Sequence, residues 1–319
     1  MSTVLTARTP ADLRNLVTVF VSTVGYPTFA ACMEHLTAQD SLFTLRIIDH
    51  VAPMSAAFQQ MLDECATPYY VQVDEDMLLY PHAVRTLYER LAAMEPRTVQ
   101  YVAALYDVHL ERVIYGLKIF KHTVVRRYPL RDVNGCEWDQ IRRLRADGYV
   151  DVRIPLEGAT RHSEHTLGLH GTYWTPEAVY LRYFVLELTR RMGNHTHEWL
   201  RTMAPIFLDR FLDTGSEVDF HALMGVLAGS LADRTTMGRE KDYRTYDQTP
   251  GLDGLRQFVK EARDGGGDGA PLGPGEYDID ILRDDARGAR TEGAPPGAAL
   301  GTPSLMRDTG RGIGGSPPR

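Results

Sequence analysis

The first half of the chain alternates between short apolar runs and segments whose apolar residues recur at helical spacing. The apolar runs predict β-strands at residues 17–21, 43–48, 69–73 and 99–105. The spaced segments predict helices at residues 29–36, 56–62 and 81–94. Because strands and helices alternate, we predict an α/β sandwich with a mostly parallel central sheet.

The second half of the chain has a different pattern. Residues 107–128 resemble extended pieces, and helices are predicted at 136–146, 176–191, 198–211 and 220–232. From about residue 265 the chain is rich in Gly, Pro, Ala, Arg and Asp and almost lacks aromatic residues. Such a segment cannot bury enough apolar surface to offset its ordering entropy, which predicts a disordered tail. We expect a main domain at 1–192, a helical appendage at 193–263 and the tail at 264–319.

Composition narrows the class of protein. The net charge of −7 and the pI near 5.9 argue against a broad nucleic-acid-binding surface. The three cysteines are scattered and odd in number, which favours a reducing compartment. The amino terminus shows no secretion signal, and the longest apolar stretch, 222–232, is shorter than the ~18 residues that a membrane span needs. We therefore expect a soluble, cytoplasmic protein.

Three acidic residues, Asp74-Glu75-Asp76, directly follow the predicted strand at 69–73. Two carboxylates one residue apart at a strand end can share a hard divalent cation such as Mn²⁺ or Mg²⁺. Asp49 also ends a predicted strand, and ligands of parallel sheets bind at the carboxyl ends of the strands. Asp49 and Asp74 should therefore face one crevice. An acidic turn that caps the next helix is the alternative.

Four motifs in this order resemble those of the family-two glycosyltransferases with a GT-A fold, a Rossmann-like α/β/α sandwich. They are Val17-Thr18-Val19-Phe20-Val21-Ser22-Thr23, Cys32-Met33-Glu34-His35-Leu36-Thr37-Ala38-Gln39, Leu45-Arg46-Ile47-Ile48-Asp49 and Asp74-Glu75-Asp76. The resemblance extends from residue 17 to about 180. It implies that Thr23 lies in the nucleotide loop, that Asp49 contacts the nucleoside, that Asp74 binds the ribose or the metal, and that Asp76 binds the metal.

A later segment, Cys136-Glu137-Trp138-Asp139-Gln140-Ile141-Arg142-Arg143, is similar to the acidic segment of that family. The similarity implies that a carboxylate here is the catalytic base, since inverting transfer must deprotonate the acceptor hydroxyl. The register favours Glu137, whereas the interruption of the usual acidic pair by Trp138 tips our preference slightly to Asp139. Both residues stay open as the base. A helix start enriched in acids, which favour the helix dipole, is the structural alternative.

The triplet Gly168-Leu169-His170 is similar to the Gly-x-His that ends the catalytic domain in relatives, which implies that His170 contacts the metal or the diphosphate. A zinc site of His162, His165 and His170 is a competing interpretation, but the spacing matches no zinc motif and no cysteine is near. Four basic residues are either ligands of an anionic group or a solvated strand face: Lys118, Lys121, Arg126 and Arg127.

Two departures from the family pattern affect the predicted reaction. The Asn that often follows the second strand is missing where Pro53-Met54-Ser55 stands, which leaves the nucleotide base open. The Gln-x-x-Arg-Trp signature of processive polysaccharide synthases is also missing, so a single addition is favoured over polymerisation.

The resemblance implies an inverting, metal-dependent transferase of the hexosyltransferase type, with Mn²⁺ or Mg²⁺ as cofactor and a place in polysaccharide biosynthesis. Its partners would be a UDP- or GDP-sugar donor and a glycan, lipid-linked or small acceptor. A sugar nucleotidyltransferase is disfavoured because Ser22-Thr23-Val24-Gly25-Tyr26 has one Gly and no Lys. A non-catalytic nucleotide-sugar-binding protein is the other alternative. The helical appendage could serve the acceptor side, dimerisation, or docking at the inner face of the membrane.

Overall fold

A computed structural model describes residues 10–133, 135–192 and 197–232. Its strands are β1 (Ala11–Asp12), β2 (Val17–Thr23), β3 (Ser41–Leu42), β4 (Thr44–Asp49), β5 (Tyr69–Asp74), β6 (Met77–Leu79), β7 (Thr98–Asp107), β8 (Arg112–Lys121), β9 (Val150–Arg153) and β10 (Thr166–His170). Its helices are α1 (Phe29–Thr37), α2 (Met54–Glu64), α3 (Ala83–Ala92), α4 (His122–Val125), α5 (Cys136–Ala146), α6 (Pro176–Met192), α7 (Glu198–Thr202), α8 (Ala204–Thr214) and α9 (Glu217–Leu231).

The main sheet has eight strands in the order β4-β2-β5-β8-β7-β10-β6, and β9 adds to β7. Within the described ranges, four strand pairs of this sheet are parallel and three, β5–β8, β7–β8 and β6–β10, are antiparallel. The prediction of a mostly parallel sheet is therefore only partly right. The antiparallel strand β8 lies between β5 and β7, which consequently run in the same direction.

Helices cover both faces of the sheet, and the predicted α/β/α sandwich is confirmed. The apolar sides of α1 and α3 pack on one face through residues such as Leu36, Leu87 and Leu91. The helices α2, α4 and α5 pack on the other face, where Phe58 and Ile141 join a second core. Strand β7 is buried along almost its whole length, as expected of a strand covered on both faces.

Three predicted elements differ from the structure. The helix predicted at 81–94 is α3, which is two residues shorter at each end, and the apolar residues 77–79 before it form the short strand β6 against β10, which was not predicted. The segment 107–128 contains the long strand β8 and the short helix α4. The helix predicted at 198–211 is divided into α7 and α8 around Met203, and α8 carries a proline in its first turn.

The helices after β10 form one packed group. Val179 and Tyr183 of α6 share a core with Met203, Phe207 and Val226 of the later helices. The helix α6, which we placed in the main domain, is thus packed against the part of the predicted appendage that lies in 197–232. The remaining appendage and the predicted tail lie outside the described residues. No helix in the described part of the chain is long and apolar enough to cross a membrane.

Candidate functional site

Five strands end at the same edge of the main sheet, because β2, β4, β5, β7 and β10 all run in one direction. The last residue of each of these strands is polar: Thr23, Asp49, Asp74, Asp107 and His170. The carboxyl ends of parallel strands are where ligands of such sheets bind. This edge of the sheet is therefore the candidate site.

The strand register places His170 between two carboxylates. In the sheet, His170 lies opposite Met77 of β6 on one side and Asp107 of β7 on the other. Its Nε2 is 3.2 Å from Oδ2 of Asp76, and its Nδ1 is 2.9 Å from Oδ2 of Asp107. His170 and Asp107 are both buried. The short strand β6 thus brings Asp76, the third acid of the Asp74-Glu75-Asp76 turn, to His170.

The charges of this group shift its pKa values. Burial opposes the charged imidazole, but the carboxylates of Asp76 and Asp107 outweigh it and raise the pKa of His170 to about 9. Burial alone would raise the pKa of Asp76, yet the neighbouring His170 lowers it. Burial and then the charge of Asp76 raise the pKa of Asp74, whose Oδ1 accepts a hydrogen bond from Ser22 Oγ at 2.8 Å. Two carboxylates that repel each other in a partly buried place favour the binding of a cation.

The middle acid of the turn, Glu75, has a structural task. Its buried carboxylate accepts hydrogen bonds from the Thr23 hydroxyl at 2.5 Å and from the backbone N–H groups of Val24 and Tyr26 at 2.9 and 2.8 Å. Gly25 has a φ of +82° in this loop, a conformation that L-residues with side chains rarely adopt. Glu75 therefore holds the loop after β2 against the acidic turn.

Replacing Glu75 by alanine should destabilise the protein, because one hydroxyl and two N–H groups would lose their acceptor. We expect Glu75→Ala to lower the free energy of unfolding by about 2 to 4 kcal/mol, measured by urea denaturation. Glu89→Ala is the matched control, since Glu89 is an exposed acid whose ion pair with Arg85 spans 3.5 Å. Equal stability of the two variants would contradict this role of Glu75.

The two acids predicted as candidate bases lie in different surroundings. The Glu137 carboxylate is 2.6 Å from Nζ of Lys118, and both side chains are about a quarter exposed. In the sheet, Lys118 of β8 lies opposite Gln72 of β5, two residues before Asp74, so this ion pair lies beside the candidate site. Glu137 is therefore an acid that a second substrate at this edge could reach.

Asp139 instead faces three arginines. Its carboxylate lies 2.9 Å from Nε of Arg143, one turn further along α5, and 3.6 and 3.8 Å from Arg142 and Arg131. Its side chain is only 13% exposed. This arrangement is the helix-start acid that the structural alternative describes, and our slight preference for Asp139 over Glu137 gains no support from it.

The remaining predicted residues lie nearer to the rim. Thr23 is buried, and its hydroxyl donates to Glu75 and accepts from the N–H of Gly25 at 3.0 Å, so it shapes the loop. Asp49 is exposed at the end of β4, opposite Thr23 in the register, and its Oδ1 is 2.5 Å from Nδ1 of His50. Asp49 and Asp74 thus end at the same edge, as the topology predicted.

The other histidines and basic residues of the predicted set are not brought to this group. His165 pairs with Glu164 at 3.0 Å, and His162 lies in the exposed segment before β10. Lys121 reaches the backbone carbonyls of residues 95 and 96 at the opposite end of the sheet, and Arg127 donates to the Tyr149 hydroxyl. Among the four basic candidates, Lys118 is the one that the structure places beside the site.

A divalent cation would find suitable donors at Asp74, Asp76 and His170. Among the described residues, no group of three or more His, Cys, Asp or Glu side chains is arranged as a ready-made metal site. Mg²⁺ does not need one, since it is commonly bound by one or two carboxylates together with substrate phosphates. The repulsion between Asp74 and Asp76 and the oxygen-rich donor set fit a hard cation that arrives with a phosphorylated ligand.

Sequence reasoning missed Asp107 and the task of Glu75. Asp107 ends a strand in the same way as Asp49 and Asp74, but the predicted strand stopped at residue 105, two residues short of the end of β7. The structural role of Glu75 depends on its contacts with the loop of residues 23–26. That loop is about 50 residues away in the sequence, so the sequence pattern does not indicate the contact.

No protein-family profile and no curated protein sequence matches this chain. Among solved structures, the chain is similar to a mannosyltransferase from Pyrobaculum calidifontis in complex with GDP-mannose and Mn²⁺, at 12% identity and a TM-score of 0.44, covering 88% of this chain and 81% of that chain. It is also similar to a 4-diphosphocytidyl-2C-methyl-D-erythritol synthase from Anaerococcus prevotii, at 5% identity and a TM-score of 0.31, covering 44% of this chain and 88% of that one. A third similarity is to the bifunctional IspDF from Campylobacter jejuni, at 10% identity and a TM-score of 0.32, covering 47% and 52% of the two chains. None of these similarities identifies an activity, which has to come from the residues of the site.

Proposed function

We propose that this chain is an inverting, divalent-metal-dependent glycosyltransferase of GT-A type. It would move one sugar from a nucleotide diphosphate sugar to a glycan, lipid-linked or small acceptor. One observation carries the proposal: a single edge of the sheet holds Asp74, Asp76 and His170, and the Glu137–Lys118 ion pair lies beside it, with Lys118 opposite Gln72 in the register. A donor side with oxygen ligands and an acceptor side with a reachable carboxylate are what this reaction needs.

The donor side would be formed by the loop after β2 and the acidic turn. Asp49 would contact the nucleoside, Thr23 would shape the nucleotide loop beside it, and Glu75 would hold that loop against the acidic turn. Asp76 and His170, with Asp74 close by, would hold the cation. A bound Mn²⁺ or Mg²⁺ would supply electrostatic stabilisation of the departing diphosphate.

The acceptor side would use Glu137 as the base. The acceptor hydroxyl would give its proton to the Glu137 carboxylate while its oxygen bonds to the anomeric carbon and the bond from that carbon to the diphosphate breaks. The ion pair with Lys118 orients the carboxylate at 2.6 Å. Asp139 would support this segment through its three arginine contacts and would not touch the substrate.

A thermal-shift panel tests the donor assignment. We expect one class among UDP-, GDP-, CMP- and dTDP-sugars to raise the melting temperature in the presence of Mn²⁺ and not in its absence. Ligand at 100 times its dissociation constant adds about 2.7 kcal/mol to stability, which corresponds to a rise on the order of 5 °C for a protein of this size. Asp76→Ala should lose the shift, whereas Asp63→Ala, which removes an exposed acid of α2, should keep it.

Two results would overturn the proposal. A chain that responds to none of these donors would not be a nucleotide-sugar enzyme of this kind. A response to nucleoside triphosphates together with sugar phosphates, and not to nucleotide sugars, would instead indicate a sugar nucleotidyltransferase.

A further inference from the structure

Asp107 is the most deeply buried carboxylate beside His170. Its side chain is 1% exposed, and donors from three different parts of the fold surround it. Nδ1 of His170 lies 2.9 Å from Oδ2, Nη2 of Arg182 lies 3.4 Å from the same oxygen, and the backbone N–H of Leu110 donates to Oδ1 at 2.8 Å. Such an arrangement fixes the carboxylate rather than leaving it for a substrate.

The two nitrogens of His170 therefore have separate surroundings. If Nδ1 carries a proton that is donated to Asp107, the lone pair of the neutral ring is on Nε2, which points to Asp76. A carboxylate that accepts from the outer nitrogen of a metal-binding histidine sets both the ring orientation and the tautomer. We infer that Asp107 is the positioning residue of the cation site, an inference that rests on the proposed function.

The helices after β10 take part in this arrangement. Arg182 of α6 contacts Asp107, and its guanidinium carbon lies 4.7 Å from the centre of the Trp174 ring. Two residues after Asp107, the buried His109 has one ring nitrogen 3.2 Å from the Tyr183 hydroxyl and the other 3.2 Å from Asp219 of α9. The helices after β10 thus contact the end of β7 and the turn after it at two points.

The test measures the affinity of the protein for Mn²⁺. Electron paramagnetic resonance detects the free ion, in the presence of GDP in one series and of UDP in another. Asp107→Asn preserves the shape of the side chain but removes its charge. We expect it to weaken Mn²⁺ binding by about 10- to 100-fold, the usual effect of losing an outer partner of a metal ligand. Asp151→Asn is the matched control, because the Asp151 side chain is 2% exposed, contacts two arginines and lies opposite Gln100 in the first half of β7 away from His170, and this variant should bind Mn²⁺ as the wild type does.

The variant His170→Gln shows whether a negative result contradicts the role of Asp107 or the proposed cation site as a whole. If the wild type fails to bind Mn²⁺ with either nucleotide, or if His170→Gln binds it equally well, the proposed cation site itself is wrong. If His170→Gln weakens binding and Asp107→Asn does not, the site stands and the role of Asp107 is wrong.

A second measurement does not depend on the folding of any Asp107 variant. In wild-type protein with ¹⁵N-labelled histidine, Mg²⁺ and the better of the two nucleotides, we expect the His170 signal to show a proton on Nδ1 and none on Nε2. The signal is assigned by its absence from His170→Gln. A proton on Nε2 in this complex would overturn the inference.

Discussion

Glu137→Gln should lower kcat by about 10²- to 10⁴-fold while donor binding stays unchanged, because the amide cannot take the proton of the acceptor hydroxyl. The donor ligands proposed at Asp74, Asp76 and His170 do not include this side chain, and glutamine preserves its length. The measurement is a transfer assay at saturating donor, together with the Mn²⁺-dependent thermal shift as the readout of donor binding.

The variant Asp139→Asn is the comparison that distinguishes the two candidate bases of α5. Asp139 lies two residues away on the same helix, but its carboxylate serves Arg131, Arg142 and Arg143. We expect this variant to lose some stability and to keep most of its turnover. The opposite result, with turnover lost in Asp139→Asn and kept in Glu137→Gln, would assign the base to Asp139. Full turnover in both variants would show that the catalytic base does not lie on α5.

Gly225→Ala should destabilise the protein by about 1 to 3 kcal/mol, although alanine is the better helix former by about 1 kcal/mol. A Cβ atom at position 225 of α9 would fall on the backbone carbonyl oxygen of Tyr180 in α6. At Gly229, one turn further on, a Cβ atom would lie 2.5 Å from the carbonyl oxygen of Phe184. The two helices approach so closely that only hydrogen fits, and the added methyl group must push their backbones apart.

The free energy of unfolding in urea measures this effect. Leu231→Ala is the control on the same helix, since Leu231 is 86% exposed and should change stability by less than about 0.5 kcal/mol. Gly229→Ala should behave like Gly225→Ala. If Gly225→Ala is more stable than the wild type, as helix propensity alone would predict, the close contact between α6 and α9 is wrong.

The elements that sequence patterns predicted well are those with strong local signals. The strand at 69–73, the helix at 29–36 and the helix at 136–146 correspond to β5, α1 and α5 to within a residue or so. Apolar periodicity determines such elements because each of them buries one clear face or run. The three-residue strand β6 gives no such signal, and no element was predicted at residues 77–79.

The candidate site was predictable where each residue could be judged by its own strand. Asp49, Asp74 and His170 were singled out separately, and the structure places all three at one edge of the sheet. What the sequence could not provide is the pairing of β10 with both β6 and β7, which sets His170 between Asp76 and Asp107. Nor could it separate Glu137 from Asp139, since the difference depends on where Lys118 of β8 and the three arginines lie around α5.

The packing of α6 also bears on how short a piece of this protein can be produced. A fragment that ends with α6 would retain every residue that we propose for the donor and acceptor sites. It would, however, uncover Val179 and Tyr183, which the intact chain covers with Phe207, Ala222 and Val226. Uncovered apolar surface of this kind promotes aggregation. We expect the smallest well-behaved fragment to extend through α9, to about Leu231.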